Sequence, residues 1–208
     1  MTELSHIHRF RAGAVPRAPL LLLHGTGGDE TDLLGLGEMV APGASLLSPR
    51  GQVLENGMPR FFRRLAEGVF DEADVRRRAG ELAAFVGEAR QAYELAAPVA
   101  LGFSNGANIA AALLLLHPGV LSGAVLIRPM VPLREPPAAD LRDLPVLVLS
   151  GAMDPIMPAG EGERLARQLE VAGARVEHRT VPAGHGLTQI DVSAARDFLA
   201  ALPQPAAA

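Results

Sequence analysis

The sequence predicts an α/β fold with a mostly parallel central sheet and helices on both faces. Short apolar segments of strand length alternate along the chain with longer segments whose apolar residues recur at helical spacing. Several of the short segments are apolar without interruption, which is typical of strands buried on both faces of a sheet. The chain has 208 residues, of which 49% are hydrophobic, so it can form one domain with a substantial core.

The predicted strands direct attention to particular places in the chain. Residues 6–11 would form an edge strand, and the leucine run at 20–23 would form a buried strand that ends at His24. The other strand-like segments are residues 44–47, 99–103, 123–127, 146–149 and 175–181. Because sites in parallel sheets lie at the carboxyl ends of the strands, we expect the chemistry just after these segments.

Helices are predicted in the intervals between the strands. Asp71 can cap a helix that has Asp74 in its first turn, and apolar residues then recur at helical spacing as far as Ala89. The segment 108–117 is largely apolar, so we expect a helix buried against the sheet. Further amphipathic helices are predicted over residues 161–172 and 192–199.

We expect one domain over residues 1–202, with little or no lid, and a disordered tail at residues 203–208. Residues 1–11 lack the apolar stretch of a signal peptide. The apolar segments are too short to span a bilayer, so no stable membrane insertion is expected.

Composition excludes several kinds of chemistry. The chain has no cysteine, which excludes disulfides, thiolate nucleophiles and cysteine-bound metals. All 19 basic residues are arginine, which excludes Schiff-base chemistry, a Ser–Lys dyad and the lysine of a phosphate-binding P-loop. The formal net charge of −4 provides no basic surface for nucleic acid or for an anionic membrane.

The segment Gly102-Phe103-Ser104-Asn105-Gly106 has the G-x-S-x-G pattern of a nucleophile elbow. It lies between a predicted strand and a predicted helix, which is the context that gives the pattern its meaning. The pattern also arises by chance in a glycine-rich chain, and a serine at an ordinary strand-to-helix turn is the simpler interpretation. The choice between the two depends on the residues at the ends of the other strands.

Asp154 and His185 come after two later strands, so the chain order is Ser104, Asp154, His185, the order of an α/β hydrolase triad. His185 would accept the proton of Ser104, and Asp154 would orient the imidazole. Separately, Asp154 could start a turn before Pro155, and His185 could be an ordinary loop histidine. Their joint occurrence at strand ends favours the triad, and we expect activity to fall in acid as His185 becomes protonated.

An oxyanion hole is also expected. One donor would be the backbone N–H of Asn105, the residue after the nucleophile. The second would come from the loop after the leucine strand, with Thr26 as our choice and Gly27 as the alternative. That glycine-rich loop could instead bind a nucleotide, but Glu30 stands where the dinucleotide fingerprint requires a third glycine.

The remaining histidines have simpler explanations. His6 and His8 lie two apart on the predicted edge strand, but no further ligand cluster suggests a metal site. His24 is expected to shape the oxyanion loop. His178 lies inside a strand, and His117 lies where a helix ends.

With these motifs in place, nearly the whole chain resembles the small α/β-hydrolase carboxylesterases related to acyl-protein thioesterases and phospholipase/carboxylesterase proteins. The resemblance rests on the residues 23–29, 102–106, 151–158 and 184–185. It implies that Ser104, Asp154 and His185 are the triad. It also implies a cytoplasmic protein that needs no cofactor and forms a homodimer.

Two departures place the chain nearer to the bacterial carboxylesterase branch, which includes proteins linked to quinone or aromatic stress. Asn105 stands where acyl-protein thioesterases usually have glutamine. Arg128-Pro129-Met130 stands where those enzymes usually have a turn of Ser-Gly type.

Residues of the substrate pocket are harder to predict. The segment 55–62 is rich in apolar groups and could form a wall of the cleft, but ordinary packing is the favoured explanation for each residue. The candidates for the pocket are Gly27, Met58, Phe61, Met130 and Met157. Three arginines, Arg50, Arg60 and Arg128, could bind an anionic substrate group, but a surface ion pair is the favoured role for each.

The resulting hypothesis is a serine carboxylesterase that cleaves small esters through an acyl-serine intermediate. An acyl thioesterase or a lysophospholipase would use the same site. A ligand-binding protein on a hydrolase scaffold, without turnover, is the alternative of another class.

Overall fold

A computed structural model of the chain describes residues 4–203. The strands are β1 (His8–Arg11), β2 (Leu20–Leu23), β3 (Leu46–Pro49), β4 (Val53–Glu55), β5 (Met58–Arg60), β6 (Arg64–Ala66), β7 (Val69–Phe70), β8 (Val99–Phe103), β9 (Gly123–Ile127), β10 (Pro145–Gly151) and β11 (Arg175–Val181). The helices are α1 (Leu34–Val40), α2 (Glu72–Ala92), α3 (Asn105–Leu116), α4 (Glu161–Val171) and α5 (Gln189–Ala201). The predicted alternation of strands and helices is confirmed.

Seven strands form the central sheet in the order β1-β3-β2-β8-β9-β10-β11. Each neighbouring pair is parallel except β1 and β3, which are antiparallel. The chain runs from the edge strand β1 to β2 and then back outward to β3, which lies between them. It later returns to β8, on the other side of β2. The strand order therefore reverses between β2 and β8, and a crevice forms at the carboxyl ends of these two strands.

Helices cover both faces of the sheet, as predicted. One hydrophobic cluster packs the sheet against α2, α3 and α4, and a second packs the other face against α1 and α5. The apolar α3 is buried around its whole circumference except at its last residue. The predicted cap of α2 is confirmed, because the Asp71 carboxylate accepts the Asp74 N–H at 3.1 Å. None of the helices within residues 4–203 combines the length and apolarity that a membrane crossing requires.

Several predicted boundaries are wrong by a few residues. The edge strand begins at His8 instead of residue 6, and the strand expected at 44–47 is β3 at Leu46–Pro49. Helix α3 begins at Asn105 instead of residue 108, because the turn at Ser104 leads directly into it. The expected tail lies, from residue 204 onward, outside the described residues.

Helix α1 and two small hairpins, β4–β5 and β6–β7, were not predicted from the sequence. Helix α1 contains two glycines, which are poor helix formers, and tertiary packing stabilises it. The first hairpin had a readable signal in Asn56-Gly57, whose φ angles of 52° and 79° suit a tight hairpin turn.

Candidate active site

Ser104 occupies a strained turn between β8 and α3. Its φ and ψ are 52° and −114°, a conformation that costs about 1–3 kcal/mol for a residue with a side chain. Two backbone hydrogen bonds hold it, since Ser104 N–H donates to the Ile127 carbonyl at 2.8 Å and the Ser104 carbonyl accepts Asn108 N–H at 3.0 Å. A Cβ at Gly102 would lie 2.6 Å from the Gly106 carbonyl oxygen, so the turn requires glycine there.

Asp154, His185 and Ser104 form a continuous series of hydrogen bonds. His185 Nδ1 lies 2.8 Å from Asp154 Oδ2, and His185 Nε2 lies 3.1 Å from Ser104 Oγ. The Asp154 side chain is 1% exposed and that of His185 is 20% exposed. The carboxylate fixes the tautomer with the proton on Nδ1, which leaves Nε2 free to accept the serine proton.

The Asp154 carboxylate stays ionised despite its burial. Burial alone raises the pKa of this carboxyl, but hydrogen bonds from His185 and from the backbone N–H groups of Ile156 and Met157 outweigh it. The hydrogen bonds from these two N–H groups to Asp154 Oδ1 measure 2.9 and 3.2 Å. The net effect holds the pKa of Asp154 below its ordinary value, so the group is an anion at neutral pH.

The geometry separates the two candidates for the second oxyanion donor. Gly27 N–H donates to the Pro59 carbonyl at 2.9 Å, so this amide is already engaged. No backbone carbonyl within residues 4–203 accepts the Thr26 N–H. Asn105 is the first residue of α3, where an amide has no partner inside the helix. Thr26 and Asn105 therefore have amides available at the crevice.

A cleft of about 270 Å³ opens at Ser104. Its lining residues are Thr26, Arg60, Arg64, Glu67, Gly68, Phe70, Phe103, Ser104, Asn105, Asn108, Met130, Ile156, Met157 and His185. Two of the expected pocket residues, Met130 and Met157, are among them.

The other three expected pocket residues do not line this cleft. Phe61 is 4% exposed because its ring packs on His24, with centroids 4.7 Å apart, and its N–H donates to Asn105 Oδ1. Met58 lies beside Gly27, with its Sδ 3.6 Å from where a Gly27 Cβ would be. Phe61 and Met58 therefore contact the glycine-rich loop after β2.

The three arginines that the sequence left open have different surroundings. Arg50 pairs with Glu30 at 2.5 Å, away from the cleft. Arg128 pairs with Asp191 at 2.9 Å, and both side chains are 0% exposed, so this ion pair is buried and not on the surface. Arg60 alone of the three lines the cleft.

Three residues that line the cleft were not predicted, because no local motif identifies them. Arg64, Phe70 and Asn108 line the cleft, and Arg64 and Phe70 come from the overlooked hairpin. Asn108 Oδ1 accepts the Met130 N–H at 2.7 Å, which ties α3 to the wall of the cleft. The only sequence signal for Asn108 was its position one turn after the nucleophile.

The other histidines lie outside the triad. Burial lowers the pKa of His24, whose Nε2 accepts the Gly51 N–H at 2.9 Å and whose Nδ1 donates to the Gly25 carbonyl. His178 Nε2 lies 3.0 Å from Ser150 Oγ. His8 Nε2 lies 2.7 Å from the Tyr93 hydroxyl. Within residues 4–203, no cluster of three or more His, Cys, Asp or Glu side chains could hold a metal ion.

Comparison with protein families gives a match over almost the entire chain. A family model described as phospholipase/carboxylesterase matches residues 11–202. The Bacillus subtilis (strain 168) protein MhqD, whose name describes it as a hydrolase, is 49% identical over 181 residues. That alignment covers 86% of this chain and 90% of MhqD.

Solved structures share the same architecture. A Bacillus cereus carboxylesterase superposes with a TM-score of 0.92 at 48% identity, covering 94% of each chain. YahD, in a structure with malic acid, superposes with a TM-score of 0.89 at 32% identity. That superposition covers 94% of this chain and 98% of YahD.

Proposed function

Because this chain belongs to the phospholipase/carboxylesterase family of α/β hydrolases, we propose that it cleaves small carboxylic esters through an acyl intermediate on Ser104. Family membership makes it a carboxylic ester hydrolase, and the proposal adds the residues and the size of the substrate. The observation that carries it is the series of hydrogen bonds from Asp154 through His185 to Ser104, at 2.8 and 3.1 Å. A serine that faces a histidine oriented by a buried carboxylate is activated as a nucleophile.

In acylation, Ser104 Oγ attacks the ester carbonyl carbon while His185 Nε2 accepts the hydroxyl proton. The carbonyl oxygen becomes an oxyanion, which the N–H groups of Thr26 and Asn105 stabilise. Removing one such donor typically costs about 3–4 kcal/mol of transition-state stabilisation. His185 then gives its proton to the leaving alcohol, and the acyl group remains on Ser104.

Deacylation repeats these steps with water as the nucleophile. His185 removes a proton from the water, which attacks the acyl carbonyl carbon. The tetrahedral intermediate collapses, the acid leaves, and the proton returns to Ser104. Asp154 remains ionised throughout and stabilises the imidazolium that forms in each half of the reaction.

The cleft favours small substrates. Its volume of about 270 Å³ lies just below the range of ligand pockets, which typically measure about 300–1,000 Å³. Malic acid, the compound in the related YahD structure, is of a size that this cleft would admit. We therefore propose esters with short acyl and alcohol groups as substrates.

A fluorophosphonate probe tests the nucleophile. The probe should label the wild type and not Ser104→Ala. Ser150→Ala is a matched control, because Ser150 is another serine within hydrogen-bond distance of a histidine, at 3.0 Å from His178. Labelling that persists in Ser104→Ala, or disappears in Ser150→Ala alone, would contradict the assignment.

Turnover distinguishes an enzyme from a binding protein on the same scaffold. We expect the wild type to hydrolyse phenyl acetate and Ser104→Ala to lose that activity. Comparison with S-phenyl thioacetate measures any preference for thioesters, which the same residues would attack. A wild type that binds the probe but turns over neither ester would favour the non-catalytic alternative.

We also propose, from the family resemblance, a cytoplasmic protein that forms a homodimer. Sedimentation velocity measures the association directly. A single species at the monomer mass of 21.8 kDa, at micromolar concentration, would contradict the dimer.

A further inference from the structure

We propose that the cleft binds esters that carry a free carboxylate group, and that Arg60 and Arg64 bind this group. The inference rests on the proposed function, because it concerns the substrate of the same site. It names a feature of the substrate that neither the triad nor the oxyanion donors would require.

Arg60 brings a buried positive charge to the cleft. Its side chain is only 4% exposed, and it lines the cleft beside Ser104. Its Nη1 donates to Thr26 Oγ1 at 2.9 Å, and its Nε donates to the Phe62 carbonyl at 3.2 Å. Burying a cation is costly unless an anion compensates it, so the surroundings of Arg60 determine which ligands it favours.

Arg60 shares its counterion with a second arginine. Glu55 Oε2 lies 3.3 Å from Arg60 Nε, and Glu55 Oε1 lies 2.7 Å from Arg64 Nη2. Arg64 also lines the cleft, with its side chain 32% exposed. Two guanidinium groups and one carboxylate leave one positive charge in excess in this cluster.

Glu67 is the one acidic residue among the described residues that line the cleft. It is exposed at the turn between β6 and β7, where water and salt screen its charge. The charge of Arg60 is screened much less, because its side chain is buried. A substrate carboxylate would therefore meet a net attraction at the inner wall, and it would complete the pairing of the two arginines.

The position of Arg60 also limits where the carboxylate can be. Thr26 supplies the candidate oxyanion amide, and the hydroxyl of the same residue accepts the hydrogen bond from Arg60. A carboxylate held by Arg60 would thus lie only a few bonds from the ester carbonyl bound by Thr26. Guanidinium groups bind carboxylates in a planar, two-pronged arrangement that fixes orientation. The chemical class is therefore a short monoester of a dicarboxylic acid, or a short ester of a hydroxy acid.

Two pairs of matched esters test the inference on the intact protein. O-Acetylglycolate against O-acetylglycolamide places the charge on the alcohol side, and ethyl hydrogen succinate against ethyl succinamate places it on the acyl side. Within each pair, one compound has a carboxylate where the other has a neutral amide. Titration in a pH-stat measures kcat/KM for each ester after correction for uncatalysed hydrolysis. We expect at least one anionic ester to be preferred by about tenfold or more, the typical size of a charge-assisted hydrogen bond.

Variants assign the preference to the arginines. Arg64→Gln should reduce the ratio of anionic to neutral kcat/KM about tenfold, mainly through KM, and Arg64→Lys should retain part of it. Arg63→Gln is the matched control, because Arg63 is the adjacent residue, is 61% exposed and pairs with Asp71 outside the cleft. It makes the same change in net charge and should keep the wild-type ratio.

The outcomes separate this inference from the proposed function. Hydrolysis of the neutral esters with a ratio near one would overturn the inference and leave the proposed function standing. An unchanged ratio in Arg64→Gln would also overturn it. If Arg64→Gln does not fold, the inhibition constants of succinate and succinamide are measured with the wild type. Stronger inhibition by succinate would support the inference, and equal inhibition by both would overturn it. Failure to hydrolyse any of the four esters would overturn the inference, and failure to hydrolyse phenyl acetate as well would overturn the proposed function.

Discussion

Arg128 connects the buried interior of the molecule to the loop that carries His185. Its guanidinium binds both carboxylate oxygens of Asp191 at 2.9 Å. It also donates to the carbonyls of Gly184 at 2.8 Å and Gly186 at 3.4 Å, on either side of the histidine. The backbone of Arg128 is strained, with a φ of 55°, at the position from which its side chain makes these contacts. One side chain therefore supports both the stability of the fold and the position of the candidate base.

Arg128→Met should destabilise the protein by about 3–5 kcal/mol, because Asp191 would remain buried without its partner. Urea unfolding measures the change, and kcat should fall as well, because the loop loses the two donors beside His185. Arg134→Met is the matched control, since Arg134 is 85% exposed and should change stability by less than about 0.5 kcal/mol. An unfolding midpoint of Arg128→Met equal to that of the wild type would refute this role.

His6, before β1, and His8, at its start, pack against helix α2 and its C-cap residue Tyr93. The His6 ring lies 4.7 Å from that of Phe85, and His8 hydrogen-bonds the Tyr93 hydroxyl. Burial lowers the pKa of His6 from 6.5 to about 4, with Arg78 and His8 acting in the same direction and Glu81 opposing. Protonation of this histidine therefore favours the unfolded chain.

The stability contributed by neutral His6 should be complete above pH 6.5 and should be lost as the pH falls toward about 4. The loss is at most about 3 kcal/mol, because the pKa of His6 lies at about 4 in the folded protein and at 6.5 in the unfolded chain. His6→Phe keeps a ring against Phe85 but cannot be protonated, so the free energy of unfolding of this variant should change less between pH 6.5 and pH 4. Urea unfolding between pH 7 and pH 4 measures it, and identical slopes for both proteins would show that His6 is not responsible.

The two hairpins between β3 and α2 form part of the wall of the cleft. They contribute Arg60, Arg64 and Phe70 to its lining. Pro59, in the first hairpin, also accepts the Gly27 N–H and so holds the oxyanion loop. Elements of two or three residues thus determine much of the shape and charge of the cleft.

For the molecule as a whole, the parallel strands on either side of the reversal between β2 and β8 bring the residues of the candidate site to one edge of the sheet. Thr26 comes after β2, and Ser104 comes after β8. Asp154 and His185 come after β10 and β11, farther along the same edge of the sheet. Parallel strands place their carboxyl ends on one side, so residues far apart in sequence meet there.

The small cleft predicts a preference for short acyl chains. kcat/KM for 4-nitrophenyl decanoate should be at least about tenfold below that for 4-nitrophenyl butyrate, because the extra methylenes exceed the space at Ser104. A neighbouring cavity of about 380 Å³ shares Gly68, Phe70 and Met130 with the cleft. Equal rates for the two esters would mean that long chains extend into that cavity and that the cleft does not limit length.

Local sequence information was enough to predict the alternation of strands and helices and the candidate triad of Ser104, Asp154 and His185. Periodicity reports which face of an element is buried, and parallel strands gather their carboxyl ends on one edge. The hairpin over residues 53–60 had a local signal as well, in Asn56-Gly57.

The roles of the remaining side chains depend on tertiary structure. The fold places Phe61 in the core and engages the amide of Gly27. It also gives the three arginines different surroundings: Arg50 forms a partly exposed ion pair, Arg128 forms a buried one, and Arg60 lines the cleft. Each of these depends on a partner distant in sequence, such as Asp191 for Arg128, 63 positions away. Charge pairing and burial depend on distances between distant segments, and the folded chain alone sets those distances.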